Sequence, residues 1–190
     1  MIVLEAAELF VEHGYHATSI SRIDAAAGVA VQTIYNSIGS KSALLSRVLD
    51  YAAAGERAPL SVPTFMREQA ESDSDAAQII DQLVTFWQGA LKRTGPVFRV
   101  IREAAAVDPE AATLENERAA QRLRNYQTAA RLLKTRGALR DDLTLDQAAA
   151  AIFAIGHPEI YRTLVLEGPW NERQWANWAS STLKTALLAT

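Results

Sequence analysis

Apolar residues recur at spacings of three and four along nearly the whole chain. No stretch alternates with a period of two, so the pattern predicts an all-α protein of about nine helices. The first helix is expected over Ile2 to His13, with Val3, Ala6, Ala7 and Phe10 inward and Gly14 as its stop. A second carries Ile20, Ile23 and Ala27 on one face, with Thr18 as its expected N-cap. Gly28 and Val29 interrupt it. A short third helix from Val31 to Asn36 follows, anchored inward by Ile34. Ser40 is the expected N-cap of a fourth helix, which reaches Ala54 with Ala43, Leu44, Val48 and Tyr51 inward. Two short helices joined by a tight Gly turn form a helix-turn-helix unit.

Composition suggests a linker over Gly55 to Ser74, with Pro59 and Pro63. Helix five is expected over Asp75 to Arg93, broken by Thr94-Gly95-Pro96, and helix six over Val97 to Val107. Asp108-Pro109 reads as an N-cap followed by proline at the first helical position. Helix seven then runs to Arg136, with Ala119, Leu123, Tyr126, Ala130 and Leu133 as its stripe and Gly137 as its end. Helix eight, Thr144 to Glu167, is apolar nearly all round from Ala148 to Gly156, which implies burial on more than one side. Pro158 sits inside it and predicts a kink near Ile155 to His157. Helix nine is expected over Asn171 to Leu188.

The chain has 190 residues, 49% hydrophobic and 22% charged, as in a soluble globular protein. It has no cysteine, which removes disulfides and thiolate chemistry and is compatible with a reducing, cytoplasmic setting. No apolar run is long enough for a membrane span, so no membrane partner is expected. His13, His16 and His157 are scattered, and there is no nucleophile elbow, P-loop or dinucleotide fingerprint. No catalytic site, metal or cofactor is therefore expected, and the chain does not read as an enzyme.

The ordered set Leu4 to Phe10, Gly14-Tyr15, Thr18-Ser19, Ala27-Gly28-Val29, Thr33-Ile34-Tyr35, Gly39-Ser40-Lys41 and Ala43-Leu44-Leu45 resembles the TetR family of prokaryotic transcriptional regulators. The string from His157 to Leu183 is similar to a variant common among actinobacterial members. The resemblance implies a DNA-binding domain over residues 1–50 and a ligand-binding and dimerisation domain over 51–190. It implies DNA contacts from Thr18, Val31, Gln32, Thr33, Tyr35, Asn36 and Lys41, with Tyr35 and Lys41 on phosphate. Gln suits bidentate pairing with adenine, and Val and Thr suit thymine methyls.

The same resemblance implies a homodimer built from the last two helices, here Ile152, Ile155, Ile160, Leu164, Trp175, Trp178 and Leu183. It also implies a pocket for an unidentified small-molecule effector. Its candidate lining is Phe86, Trp87, Phe98, Ile101, Tyr126, Phe153, His157 and Tyr161. Together these describe a repressor that binds a palindromic double-stranded operator and is released by its effector. The alternative is an interaction adaptor on the same fold. It draws on the charge of the first fifty residues, where only Arg22, Lys41 and Arg47 stand against Glu5, Glu8, Glu12, Asp24 and Asp50. Affinity for DNA rests on phosphate neutralisation, so a basic arm ahead of residue 1 is the expectation on the regulator reading.

Overall fold

The computed structural model describes residues 1–54 and 62–189, apart from the side chains of Val31 and Ile34. Its helices are α1 (Ile2–Ala17), α2 (Ile20–Ala27), α3 (Val31–Ser37), α4 (Lys41–Ala54), α5 (Val62–Glu71), α6 (Ala76–Ala105), α7 (Pro109–Thr135), α8 (Leu145–Ile155), α9 (Pro158–Tyr161) and α10 (Glu172–Leu187). A π-helical turn, Arg162–Leu166, continues α9. Among the described residues the only extended pairing is an isolated bridge between Leu139 and Leu188. The protein is all-α.

The chain forms two compact units, each discontinuous in sequence. One is Met1–Glu56 with Arg93–Arg118, the other Arg57–Lys92 with Ala119–Thr190. The reading above cut the chain once, at residue 50; the fold instead gives the first unit a hairpin made from the end of α6 and the start of α7.

In the first unit, Ala6, Phe10, Ile23, Leu44, Leu45 and Val48 are buried with Val100, Ile101, Ala104, Ala111 and Leu114 in one core. α1 is interrupted at Gly14, whose φ of 77° and ψ of 169° end the first run of helix as expected. Two arginines of the hairpin then close helix C-termini, where carbonyls lack intrahelical partners. Arg99 donates to the Val11 carbonyl at 3.1 Å, and Arg93 to that of Ala52 at 3.1 Å. The same device recurs in the second unit, where Arg136 donates to the carbonyls of Gln69, Ala70 and Ser72 at the end of α5.

The second unit packs Ile80, Leu83, Trp87, Tyr126, Ala130, Leu133, Ala149, Ile152, Tyr161, Trp175 and Leu183 into its core. α8 begins at a capping box between Thr144 and Gln147, and α10 at one between Asn171 and Gln174. The kink expected at Ile155 to His157 is a full break. His157 Nδ1 accepts the Glu159 amide and caps α9, with Pro158 at its first position.

Several expectations differ from what is found. Thr94-Gly95-Pro96 does not break the chain: α6 runs through it for 30 residues. Pro96 supplies no amide to the preceding turn, but the apolar stripe is continuous across it. Leu83, Trp87 and Leu91 bury before it, and Val97, Val100 and Ile101 after it. The stretch read as linker contains α5, with Pro63 in its first turn, where a missing amide is harmless, and with Met66 buried. The part of that stretch over 55–61, including Pro59, lies outside the described residues. Tyr51 and Leu123, expected inward, are exposed. No helix among the described residues is long and apolar enough to cross a membrane.

Candidate nucleic-acid interface

α2 and α3 are set by local chemistry. Ser19 caps α2, its hydroxyl accepting the Arg22 amide at 3.1 Å. Ile20, Ile23 and Ala27 then face the core. Gly28 closes the helix at φ 65°, ψ 34°, a left-handed conformation that residues with a Cβ resist. The chain turns there into α3.

The cap is therefore not Thr18, as expected from sequence. Thr18 is fully buried, and its hydroxyl lies 3.0 Å from the Leu9 carbonyl and 2.8 Å from that of Gly14. It ties α1 to the start of α2 and presents nothing to a phosphate. Ser19, one residue on and exposed, holds the position at the helix N-terminus. Replacing Thr18 by valine keeps the shape and removes the one donor shared by the two carbonyls. We expect a loss of about 1–2 kcal/mol in a denaturant melt. An unchanged midpoint would show that the hydroxyl does not hold α1 to α2.

α3 presents Gln32, Thr33, Tyr35 and Asn36 to solvent, and Tyr35 is 50% exposed. The Gln32 amide donates to Asn36 Oδ1 at 2.8 Å, which fixes both side chains on one outer face. The side chain of Val31, counted with them from sequence, and that of the expected anchor Ile34 lie outside the described residues. Beside this face, Arg22 donates to His13 Nε2 at 2.8 Å.

Lys41 opens α4 but does not point freely outward. Its ammonium sits 4.1 Å from the centre of the Tyr15 ring. The Tyr15 hydroxyl in turn donates to Asp108 at 2.8 Å. Ser42 donates to Glu110 at 2.7 Å and lies 2.7 Å from Ser40, whose hydroxyl accepts the Ala43 amide. Burial and the Asp108 hydrogen bond push the Tyr15 phenol well above its ordinary range. The Tyr15 hydroxyl, with the Ala111 and Glu110 amides, holds the Asp108 carboxyl below its own. Desolvation lowers Lys41, with Asp108 pulling the other way. Sequence reasoning missed Asp108 and Glu110 as members of this cluster. Their signal was read locally, as the start of α7, and Asp108 is 93 positions from Tyr15.

Of the candidate pocket residues, four meet as a chain of ring edges. Trp87 and Tyr126 are 5.7 Å apart, Tyr126 and Phe153 6.3 Å, and Phe153 and His157 5.5 Å. Burial pushes the Tyr126 phenol up to about 12, so it stays neutral at working pH. Tyr161 is buried against Trp175, and Phe86 stacks on Phe65. Phe98 and Ile101 are not part of this group: both pack in the first unit's core. A surface groove of about 550 Å³ in the second unit is lined by none of the eight, but by residues such as Asp81, Gln88, Arg173 and Lys184. Of the candidate dimer residues, Ile152, Trp175 and Leu183 are fully buried within their own unit and offer no surface to another copy. Ile155, Ile160, Leu164 and Trp178 are half-buried.

Residues 2–48, which carry the helix-turn-helix and the start of α4, match the family model described as bacterial regulatory proteins, tetR family. Over these residues the chain is similar to the N-terminal domain of that family. The rest of the chain follows the same fold. A Syntrophomonas wolfei protein assigned to TetR regulators is 19% identical, with a TM-score of 0.77 over 97% of this chain and 91% of that one. A transcriptional regulator from Saccharomonospora viridis, solved with choline, is 19% identical, with a TM-score of 0.72 over 100% and 96%. The ketosteroid transcriptional regulator of Mycobacterium tuberculosis is 17% identical, with a TM-score of 0.64 over 100% and 94%. No curated protein matches in sequence. The chain has the fold of these solved proteins.

Proposed function

We propose that the protein is a ligand-responsive repressor, acting in the cytoplasm, that binds a palindromic double-stranded DNA operator as a homodimer and leaves it when a small-molecule effector binds. The observation that carries the reading is the exposed polar face of α3, Gln32, Thr33, Tyr35 and Asn36, held behind the Gly28 turn of a TetR-type domain. A helix interior to the fold has no use for an outward glutamine and asparagine locked to each other and a half-exposed tyrosine. A recognition helix uses the amides for base edges and the phenol for phosphate. Ser19, at the N-terminus of α2, takes the phosphate role assigned from sequence to Thr18.

Dimerisation is supported by α8 and α10. α8 is apolar almost all round; Ala148, Ala149 and Ile152 are buried in its own core, Phe153 and Ile155 pack partly against it, and Ala150 and Ala154 are exposed. Trp178 on α10 and Trp170 beside it stand edge to face, 5.9 Å apart, both partly open to solvent. Such a surface suits a second copy. Two recognition helices would then meet half-sites about 34–36 Å apart. The effector reading draws on the aromatic series from Trp87 to His157 and on the choline held by the S. viridis relative.

The test is selection from a randomised duplex library at low and physiological salt. A two-fold symmetric site with a steep salt dependence is expected. No enrichment would overturn the regulator reading and favour the adaptor, which the acidic excess of the first fifty residues supports. Within α3, Tyr35→Ala is expected to weaken all duplexes alike, whereas Gln32→Ala also relaxes preference at one base pair, with about 1–3 kcal/mol of discrimination lost there. Equal weakening of every site by Gln32→Ala would remove its base-reading role.

A further inference from the structure

We propose that Asp108 and Glu110, at the turn from α6 to α7, are a built-in competitor for the DNA backbone at the start of α4. The inference rests on the DNA-binding reading above and adds an autoinhibitory contact to it.

Two helix N-termini converge on this pair of carboxylates. α7 begins at Asp108, whose Oδ1 accepts the amides of Glu110 and Ala111. α4 begins at Ser40, and its first residue is Lys41. Both helix ends carry partial positive charge, and both favour an anion. The groups at the start of α4 that suit a phosphate are the half-buried Ser40 hydroxyl and Lys41 ammonium, with the buried Ser42 hydroxyl linking Ser40 to Glu110. Each is already engaged within the unit. Glu110 accepts from Ser42, which is joined to Ser40. Lys41 lies over the Tyr15 ring, and that ring's hydroxyl is bonded to Asp108.

The engagement is exchangeable. Glu110 is exposed, and Lys41 and Asp108 are half-buried. Contacts of such groups are individually weak in water, so a phosphate of higher charge density can displace them. The device therefore sets a threshold and does not act as a lock. It holds one ammonium over the Tyr15 ring with a carboxylate behind that ring, and gives it up only when a duplex is in place.

The experiment uses fluorescence anisotropy with a labelled duplex of arbitrary sequence across a salt series. The proteins are the wild type, the Asp108→Asn/Glu110→Gln pair, Lys41→Ala, and all three changes together. Asparagine keeps the α7 cap, and thermal melts confirm equal folding. The paired variant is expected to bind about fivefold tighter at low salt and to steepen the log–log salt slope by about one, as one more phosphate is neutralised. In the Lys41→Ala background the gain should fall below about twofold, because the released cation is absent. Glu117→Gln removes one exposed α7 charge that makes none of these contacts, and should gain less than either carboxylate change.

A gain of the same size with and without Lys41, or no greater than that of Glu117→Gln, would overturn the competitor. So would wild-type binding with no gain in the pair. Binding by no variant at any salt would overturn both the competitor and the DNA reading beneath it.

Discussion

Gly156→Ala is expected to lower the stability of the second unit by about 2–3 kcal/mol, although alanine ordinarily adopts the backbone conformation found there without strain. The backbone does not require glycine: φ is −81° and ψ 13°. The space does. A Cβ at this position would lie 2.6, 2.7 and 2.8 Å from three carbons of the Trp87 indole. That ring is 2% exposed and meets Tyr126 edge-on, so it cannot retreat without displacing the core around it. Strain of this kind in a close-packed interior is not relaxed cheaply. The thermal midpoint should fall by roughly 5–10 °C. Trp87→Phe removes the clashing ring and should recover part of the loss in the double variant, although alone it is destabilising. Additive losses in the double variant would show that the two residues do not meet as described.

The same position shows what the sequence does and does not make legible. Pro158 announced a disturbance near residues 155–157 because its chemistry is local: no amide, and a ring that clashes with the preceding turn. That Gly156 exists to admit Trp87 was not legible, since the two are brought together by packing alone. The caps divide in the same way. Ser40 and Asp108 were read correctly because a cap is a short-range bond between a side chain and an amide three residues on. Thr18 and Ser19 are adjacent and chemically alike, and only the burial of Thr18 between Leu9 and Gly14 separates them.

Breakers misled where tertiary packing outweighed them. Gly95-Pro96 stops an isolated helix, but with buried residues on either side α6 continues through it. Inward and outward faces blurred where a stripe was wide. Leu123 was assigned to the buried face of α7, and Ile152, Trp175 and Leu183 to an outer face, because periodicity gives a side without saying what lies against it. The α3 face was the most legible part of the candidate site, for it needs no partner in the chain. The Asp108 and Glu110 contacts were the least, since they join segments far apart in sequence.

Ala154→Glu combined with Trp178→Asp is expected to convert the proposed dimer into a monomer and to weaken binding to a two-half-site operator by about 10²–10⁴-fold, while a single half-site is bound as before. Ala154 is exposed on α8, so glutamate there should change the isolated subunit's stability by only a few tenths of a kcal/mol. Trp178 is half-buried and packs with Trp170 against the second unit's core, so its replacement costs the isolated subunit some stability, which a thermal melt of the monomer reads separately from assembly. Between two copies, the same charges would be buried without partners, at about 3–5 kcal/mol each. Because a two-fold interface repeats every contact, each substitution acts twice. Sedimentation equilibrium reads the mass, and a duplex carrying one or two half-sites reads the consequence. Ala120→Glu, exposed on α7, serves as a control that should leave both unchanged. A dimer that survives both substitutions would place the interface elsewhere. A monomer that still binds the full operator at wild-type affinity would show that the two recognition helices do not act together, and the palindromic operator would fall with it.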